Sequence, residues 1–182
     1  MIDPAGAVTA SYDKMHMFDV DLEGGEQYRE SNNYRPGDRA VVTDTPWGRV
    51  GMTICYDVRF PYLYRALAQA GAGILTIPSS FARTTGKAHW HTLLKSRAIE
   101  TGCFVLAPAQ CGDHEDGRQT YGHALIVAPW GEVLADAGDE PGVIIADLDM
   151  AAVDRARAMV PSLQHDRAFA LPFAPPVRLA GE

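Results

Sequence analysis

The 182-residue sequence has few cysteines and no long apolar stretch. Its three cysteines (Cys55, Cys103 and Cys111) form no CxxC motif and cannot all pair with one another, so we expect no disulfide framework and a reducing compartment. No stretch approaches the roughly 18 apolar residues of a membrane-spanning helix, and the N-terminus lacks the pattern of a signal peptide. We therefore expect a cytoplasmic protein without a membrane partner.

Basic residues are also in the minority. The formal net charge of −7 argues against a nucleic-acid partner, which a basic surface would favour. The sequence contains no P-loop, no GxGxxG fingerprint and no GxSxG nucleophile elbow. His89 and His91 stand two residues apart, which puts them on different faces of a helix, so they are a poor metal pair. The length and the ordinary 47% hydrophobic content predict one globular domain over residues 1–182.

The hydrophobic pattern alternates between strand-like and helix-like segments, which predicts a layered α/β fold with a mixed sheet. A polar stretch over residues 19–38 predicts a long loop, and the Pro- and Ala-rich residues 168–182 predict a C-terminal arm. Predicted strands cover residues 7–12, 40–45, 49–55, 73–78, 103–109, 121–128, 132–136 and 143–148, and predicted helices cover residues 60–70, 87–101 and 150–159.

Cys55 is the best-placed candidate nucleophile. It ends a predicted strand and stands just before a predicted helix, and such a turn presents a side chain at the sheet edge near unpaired amide N–H groups. A thiol in that setting can have a lowered pKa and attack a carbonyl. Residue type alone leaves open that Cys55 is a small buried hydrophobe, which is the interpretation we adopt for Cys103 and Cys111.

Three motifs in this order resemble the nitrilase superfamily of carbon–nitrogen hydrolases, and the similarity runs from about residue 2 to residue 167. They are Tyr12-x-Lys14-x-His16-x-Phe18, Gly51-Met-Thr-Ile-Cys55-Tyr-Asp-x-Arg59-Phe-Pro61 and Pro129-Trp-Gly-Glu132. Further segments resemble the deaminated glutathione amidase branch and, in part, the ω-amidases. These include Arg29-Glu30-Ser31, Thr85-Gly-Lys-Ala-His89-Trp90 and Tyr121-Gly-His123.

The resemblance implies a four-layer α-β-β-α sandwich with mixed sheets, commonly assembled as a homodimer or larger homo-oligomer. It also implies hydrolysis of a small-molecule carboxamide to carboxylate and ammonia through a cysteine thioester, with no metal and no cofactor. Carried over by motif, Cys55 is the nucleophile, Lys14 stabilises the oxyanion, and the backbone N–H of Tyr56 is a second oxyanion donor. Glu30 matches an additional active-site glutamate that helps to hold the lysine and the substrate.

Other site residues follow from the same resemblance. Arg83, Thr85 and Tyr121 lie in segments that resemble pocket-lining parts of the family, and Arg83 could pair with a substrate carboxylate. A solvent-facing Arg83 is the alternative. We expect Asp57 and Arg59 to brace the nucleophile turn as an ion pair.

The sequence departs from the family at its start. The general-base glutamate of the family precedes the lysine motif, and this chain begins almost at that motif, so we expect an N-terminally truncated fold with an exposed sheet edge. General acid–base catalysis is worth roughly 10²–10⁴ in rate, so we expect impaired activity of this chain alone. One alternative is a non-catalytic fragment or oligomerisation partner of a complete paralogue. Another keeps the enzyme class with an N-carbamoyl compound or a nitrile as substrate.

Overall fold

A computed structural model describes residues 1–22, 25–115 and 117–170, so most of the predicted C-terminal arm lies outside the described residues. The strands are β1 (Asp19–Asp21), β2 (Gln27–Arg29), β3 (Val41–Thr45), β4 (Gly48–Met52), β5 (Ile74–Thr76), β6 (Phe104–Ala107), β7 (Cys111–Asp113), β8 (Gln119–Tyr121), β9 (Leu125–Val127) and β10 (Val133–Asp136). The α-helices are α1 (Pro61–Gln69), α2 (Arg83–Thr101) and α3 (Ala151–Met159), and 3₁₀ turns cover Glu30–Asn32, Cys55–Arg59 and Ser162–Gln164.

One mixed sheet organises the fold, in the strand order β10-β9-β6-β5-β4-β3. The three central strands β4, β5 and β6 are parallel, because α1 and α2 carry the chain back across the sheet between them. The β3–β4 hairpin and the β9–β10 hairpin extend the sheet on both sides with antiparallel pairs. The predicted mixed α/β architecture is therefore confirmed.

Helices α1 and α2 cover one face of this sheet. On α2, Trp90, Leu94 and Ala98 recur every four residues and are fully buried, which is the spacing of a single helix face. They pack with α1 side chains such as Leu67 and with sheet residues such as Leu75 in one continuous core. Each such aliphatic or aromatic side chain contributes roughly 1.5–3 kcal/mol on burial, so this face supplies most of the hydrophobic stabilisation.

The opposite face has a smaller core, in which Val153 of α3 packs on Val50, Ile74 and Phe104. The predicted strand at residues 143–148 crosses this region but forms no ladder, so that prediction is wrong. Its side chains alternate as a strand would, with Val143 88% and Ile145 86% exposed while Leu148 contacts the smaller core. Alternation alone does not make a strand, since the ladder also needs a neighbouring backbone to bond with.

Several other boundaries also differ from the predictions. Residues 7–12 form no strand, only an isolated bridge between Val8 and Ile2. The predicted loop at residues 19–38 contains the β1–β2 hairpin, and a second two-stranded sheet, β7–β8, was not predicted. Among the described residues the large sheet and these two small ones are the only sheets, and no described helix is long and apolar enough to cross a membrane.

Helix α2 begins at Arg83, one turn before the prediction, despite the poor helix formers Thr84, Thr85 and Gly86. Tertiary packing explains this early start. Gly86 is buried directly against Tyr121 of β8, and a Cβ at position 86 would lie 2.3 Å from the Tyr121 Cβ. The absence of a side chain at this position therefore allows the helix to approach the small sheet.

We expect Gly86→Ala to lower the free energy of unfolding by about 1–3 kcal/mol, because the added methyl overpacks against Tyr121. Helix propensity alone predicts the opposite, a gain of about 1 kcal/mol. Urea denaturation followed by circular dichroism measures the sign. Ala88→Gly, at an exposed position of the same helix, is the control for propensity. A stabilised Gly86→Ala protein would contradict the close approach.

Candidate active site

Cys55 is the first residue of the 3₁₀ turn that follows β4. Its φ of +49° lies in the left-handed region, which residues other than glycine seldom adopt. Its N–H donates to the carbonyl of Pro78 at 2.9 Å, which ties the turn to the chain leaving β5. Backbone strain of this kind costs roughly 1–3 kcal/mol and is concentrated at functional sites, so the conformation marks Cys55 as a candidate reactive group.

A cleft opens where the three parallel strands end. Cys55 follows β4, Ser79 follows β5 and Gln110 follows β6, and the N–H of Gln110 donates to the carbonyl of Ser79 at 2.9 Å. The carboxyl edge of parallel strands is the usual ligand position in α/β proteins. The cleft has a volume of ≈ 550 Å³ and is lined by Lys14, Glu30, Ile54, Cys55, Pro78, Ser79, Ser80, Pro108, Ala109 and Gln110.

Lys14 and Glu30 form an ion pair inside this cleft. The Lys14 side chain is only 10% exposed, so its charge acts in a medium of lower dielectric constant than water. Glu30 Oε2 accepts the Lys14 ammonium and also the N–H of Phe18 at 2.6 Å, and Gly37 N–H donates to the Lys14 carbonyl at 2.8 Å. These bonds position a cation and a carboxylate close to the cysteine.

Asp57 connects the Lys14 segment to the nucleophile turn. Its side chain is fully buried and accepts from the Tyr12 hydroxyl at 2.7 Å and the Ile54 N–H at 2.9 Å. The N–H of His16 donates at 3.1 Å, and His16 Nδ1 lies 2.7 Å from the same carboxylate. Burial, followed by the bond to Asp57, raises the pKa of Tyr12, which therefore stays a hydrogen-bond donor.

The predicted ion pair between Asp57 and Arg59 is wrong. Arg59 instead donates to His89 Nδ1 at 3.3 Å and places its guanidinium 5.3 Å from the centre of the Phe81 ring. A 3₁₀ turn has three residues per turn, so side chains two apart point to different sides. Asp57 faces the interior and Arg59 faces α2.

The surroundings of Cys55 favour the protonated thiol over the thiolate. Burial raises its pKa, and the charge of Glu30 adds to the increase. The N–H of Ser80, the ammonium of Lys14 and the hydroxyl of Ser79 act in the opposite direction without reversing it. The structure therefore presents a thiol that needs a base before it can attack, and a cation and donors ready to receive negative charge.

The three predicted substrate-binding residues lie outside the cleft lining. Arg83 borders a separate groove with Lys87 and stands 3.5 Å from an Asp113 carboxylate oxygen. Thr85 lines a small pocket that also contains Cys55 and Tyr56. Tyr121 packs on Gly86 and stacks on His123, with ring centroids 4.4 Å apart.

Motif matching missed the two serines of the cleft and gave no site role to Gln110, which lies in a segment resembling the amidase branch. Ser79 and Ser80 directly follow a predicted strand, and Gln110 follows the next one, so the rule that sites lie at the carboxyl ends of parallel strands could have found them. Tyr12 and His16 belong to the motif around Lys14. Their contacts with Asp57 span more than 40 residues of sequence, so no local sequence pattern predicts them.

Comparison with known protein families identifies the family of this chain. The profile of the family described as Carbon-nitrogen hydrolase matches residues 1–158. The chain belongs to the carbon-nitrogen hydrolase family. This match confirms the resemblance to nitrilase-superfamily enzymes that the three motifs indicated.

Relatives within the carbon-nitrogen hydrolase family extend the comparison. A deaminated glutathione amidase from Synechocystis sp. (strain PCC 6803 / GT-S) is 47% identical over 167 residues, which are 91% of this chain and 61% of that protein. The crystal structure of the C. elegans NitFhit protein superposes with a TM-score of 0.85 at 44% identity, covering 91% of this chain and 40% of that one. An amidase from Nesterenkonia sp. AN1 superposes with a TM-score of 0.71 at 29% identity, covering 88% of this chain and 60% of that one. This chain thus spans less than two thirds of each.

We expect the pH midpoint for alkylation of Cys55 by iodoacetamide to lie above the usual thiol value of about 8.5, because burial raises its pKa. Lys14→Met should move the midpoint higher, since the nearby positive charge is lost. Peptide mass spectrometry separates Cys55 from the other cysteines. Lys95→Met, at an exposed position of α2, is the matched control and should leave the midpoint in place. A midpoint below that of free cysteine would contradict this account of the thiol.

We expect Asp57→Ala to lower the free energy of unfolding by at least about 3 kcal/mol, since each buried donor left unpaired costs about 1–3 kcal/mol. Guanidinium denaturation measures the loss. Asp154→Ala, at an exposed position of α3, should stay within about 0.5 kcal/mol of the parent. Equal effects of the two substitutions would show that Asp57 does not hold the turn.

Proposed function

We propose that the protein hydrolyses a small-molecule carboxamide to a carboxylate and ammonia, with Cys55 as nucleophile. The observation that carries this proposal is the meeting of Cys55, Lys14 and Glu30 in one cleft at the carboxyl edge of the parallel strands. The reported Nesterenkonia structure, which shows the result of Michael addition of acrylamide at the active site cysteine, supports a nucleophilic cysteine in this family.

The first step forms a thioester. A carboxylate takes the Cys55 proton, the Sγ–C bond forms at the amide carbonyl, and the oxygen becomes negatively charged. Lys14 and the N–H of Tyr56, in the first turn of the 3₁₀ segment, stabilise that oxyanion. The intermediate then collapses, the C–N bond breaks, and the carboxylic acid returns the proton to the departing nitrogen, so ammonia leaves.

The second step regenerates the enzyme. Water attacks the thioester carbonyl and transfers one proton to the enzyme's carboxylate, the C–S bond breaks, and that proton returns to the Cys55 sulfur. The product leaves as the carboxylic acid and loses its remaining proton to the solvent to give the carboxylate. The resemblance assigns proton transfer to a glutamate that precedes the lysine motif. Among the residues described here, Glu30 is the one carboxylate that lines the cleft. We propose that Glu30 holds Lys14, as the resemblance implies, and it is the carboxylate to test first for proton transfer.

For the substrate, we propose deaminated glutathione or a similar ω-amide. The support is the name of the Synechocystis relative, a deaminated glutathione amidase, at 47% identity. The groove beside Arg83 is lined by three basic residues (Arg83, Lys87 and Arg118) and one acidic residue (Glu26), and this excess of positive charge suits a substrate carboxylate. N-carbamoyl compounds and nitriles are the alternative substrates of the same nucleophile.

Ammonia release from deaminated glutathione, a simple ω-amide, an N-carbamoyl amino acid and a nitrile tests the proposal. We expect weak amide turnover, a further loss of about 10²–10³ in kcat for Lys14→Met because an oxyanion donor disappears, and no detectable turnover for Cys55→Ser. Cys111→Ser is the matched control, because that cysteine is also half-buried but lies outside the cleft.

The outcomes separate the hypotheses. Turnover that survives Cys55→Ser would refute the nucleophile. Turnover that survives Glu30→Gln would assign proton transfer to another group. A folded protein that is inactive on all four substrates would instead favour the non-catalytic hypothesis, in which the chain is an oligomerisation partner of a complete paralogue. Co-purification with a longer homologous chain would test that hypothesis.

A further inference from the structure

Three potential metal ligands meet on the side of the molecule where α2 passes the β9–β10 hairpin. His91 lies on α2, His123 lies two residues before β9, and Asp136 ends β10. Their ligand atoms all lie within 4.8 Å of one another. His91 was considered in the sequence only together with His89, and the fold instead brings it to residues 32 and 45 positions further along the chain.

The distances suit a small metal ion. His91 Nε2 and His123 Nδ1 lie 3.0 Å and 3.1 Å from the same Asp136 oxygen, Oδ2. Tetrahedral zinc with bonds of about 2.0–2.1 Å places neighbouring ligand atoms roughly 3.3 Å apart. Both nitrogen–oxygen separations are close to that value, so only the two imidazoles need to turn toward each other.

The surroundings hold two of the three ligands in place. The N–H of Gly138 donates to Asp136 Oδ1 at 2.8 Å, and Tyr121 stacks on the His123 ring. His123 has a φ of +54°, and its carbonyl accepts the indole N–H of Trp90 at 2.8 Å. A histidine held in the left-handed region costs roughly 1–3 kcal/mol, which the surrounding packing must offset. Hydrogen bonds and packing contacts around the ligand side chains orient them for a metal ion.

The cluster is also open to solvent. The side chains of His91, His123 and Asp136 are 35%, 25% and 32% exposed, so an ion can reach them without unfolding the chain. Two neutral imidazoles and one carboxylate match the preferences of zinc and other late first-row divalent ions rather than of magnesium or calcium.

We propose that His91, His123 and Asp136 form a binding site for a divalent transition-metal ion, Zn²⁺ in particular, with water completing the coordination. This site lies outside the cleft of Cys55 and does not depend on the proposed amidase function. A bound ion links α2 to the edge strand β10.

Competition with a chromophoric chelator measures Zn²⁺ binding by the full chain. The experiment uses a Cys55→Ser, Cys111→Ser background, because thiols also bind zinc and Cys103 is buried. We expect one equivalent of Zn²⁺, and a Kd at least about 10–100-fold weaker after His91→Ala or Asp136→Asn. His89→Ala, two residues away on the same helix, is the matched control and should keep the parent Kd.

Cobalt substitution provides a second measurement of metal binding at the same site. Co²⁺ should give a visible spectrum without a thiolate charge-transfer band, and His91→Ala should abolish it while thermal unfolding shows an intact fold. Equal Zn²⁺ affinity in the His91→Ala and His89→Ala proteins would overturn the proposal. No bound equivalent in the background protein would also overturn it and leave the cluster as a hydrogen-bonded network.

Discussion

The buried carboxylate of Asp57 is the interaction on which the candidate active site depends. It collects donors from Tyr12, His16 and Ile54 in the interior, where an unpaired charge would be very costly. Its partners come from two segments more than 40 residues apart. The carboxylate thus joins the segment that carries Lys14 to the turn that carries Cys55.

The sheet supplies the second constraint. Three parallel strands end at one edge, and successive backbone bonds from Cys55 to Pro78 and from Gln110 to Ser79 link their extensions. The strained backbone of Cys55 is maintained because those bonds and the Asp57 network overdetermine the turn. A thiol with a raised pKa beside Lys14 then has little negative charge at rest, and the site is preorganised for charge that develops only during reaction.

The two faces of the sheet contribute unequally to the hydrophobic core. Buried side chains of α1 and α2 form a continuous core on one side, whereas α3 contacts a smaller group around Phe104 on the other. The edge strand β10 is held at its end, where Asp136 accepts from Gly138 and contacts His91 and His123. That cluster connects helix α2 to the edge strand β10.

The sequence alone was sufficient for the family, the mixed α/β architecture and the candidate residues Cys55, Lys14 and Glu30, because motif spacing and strand–helix alternation are local patterns. The predictions were wrong where contacts between residues distant in sequence determine the structure. Residues 143–148 alternate like a strand but have no ladder partner, and Asp57 turns away from Arg59 toward Tyr12. Helix α2 starts early because Gly86 fits against Tyr121. The gathering of His91, His123 and Asp136 was likewise decided only by the tertiary structure, since no local pattern encodes contacts between residues that are distant in sequence.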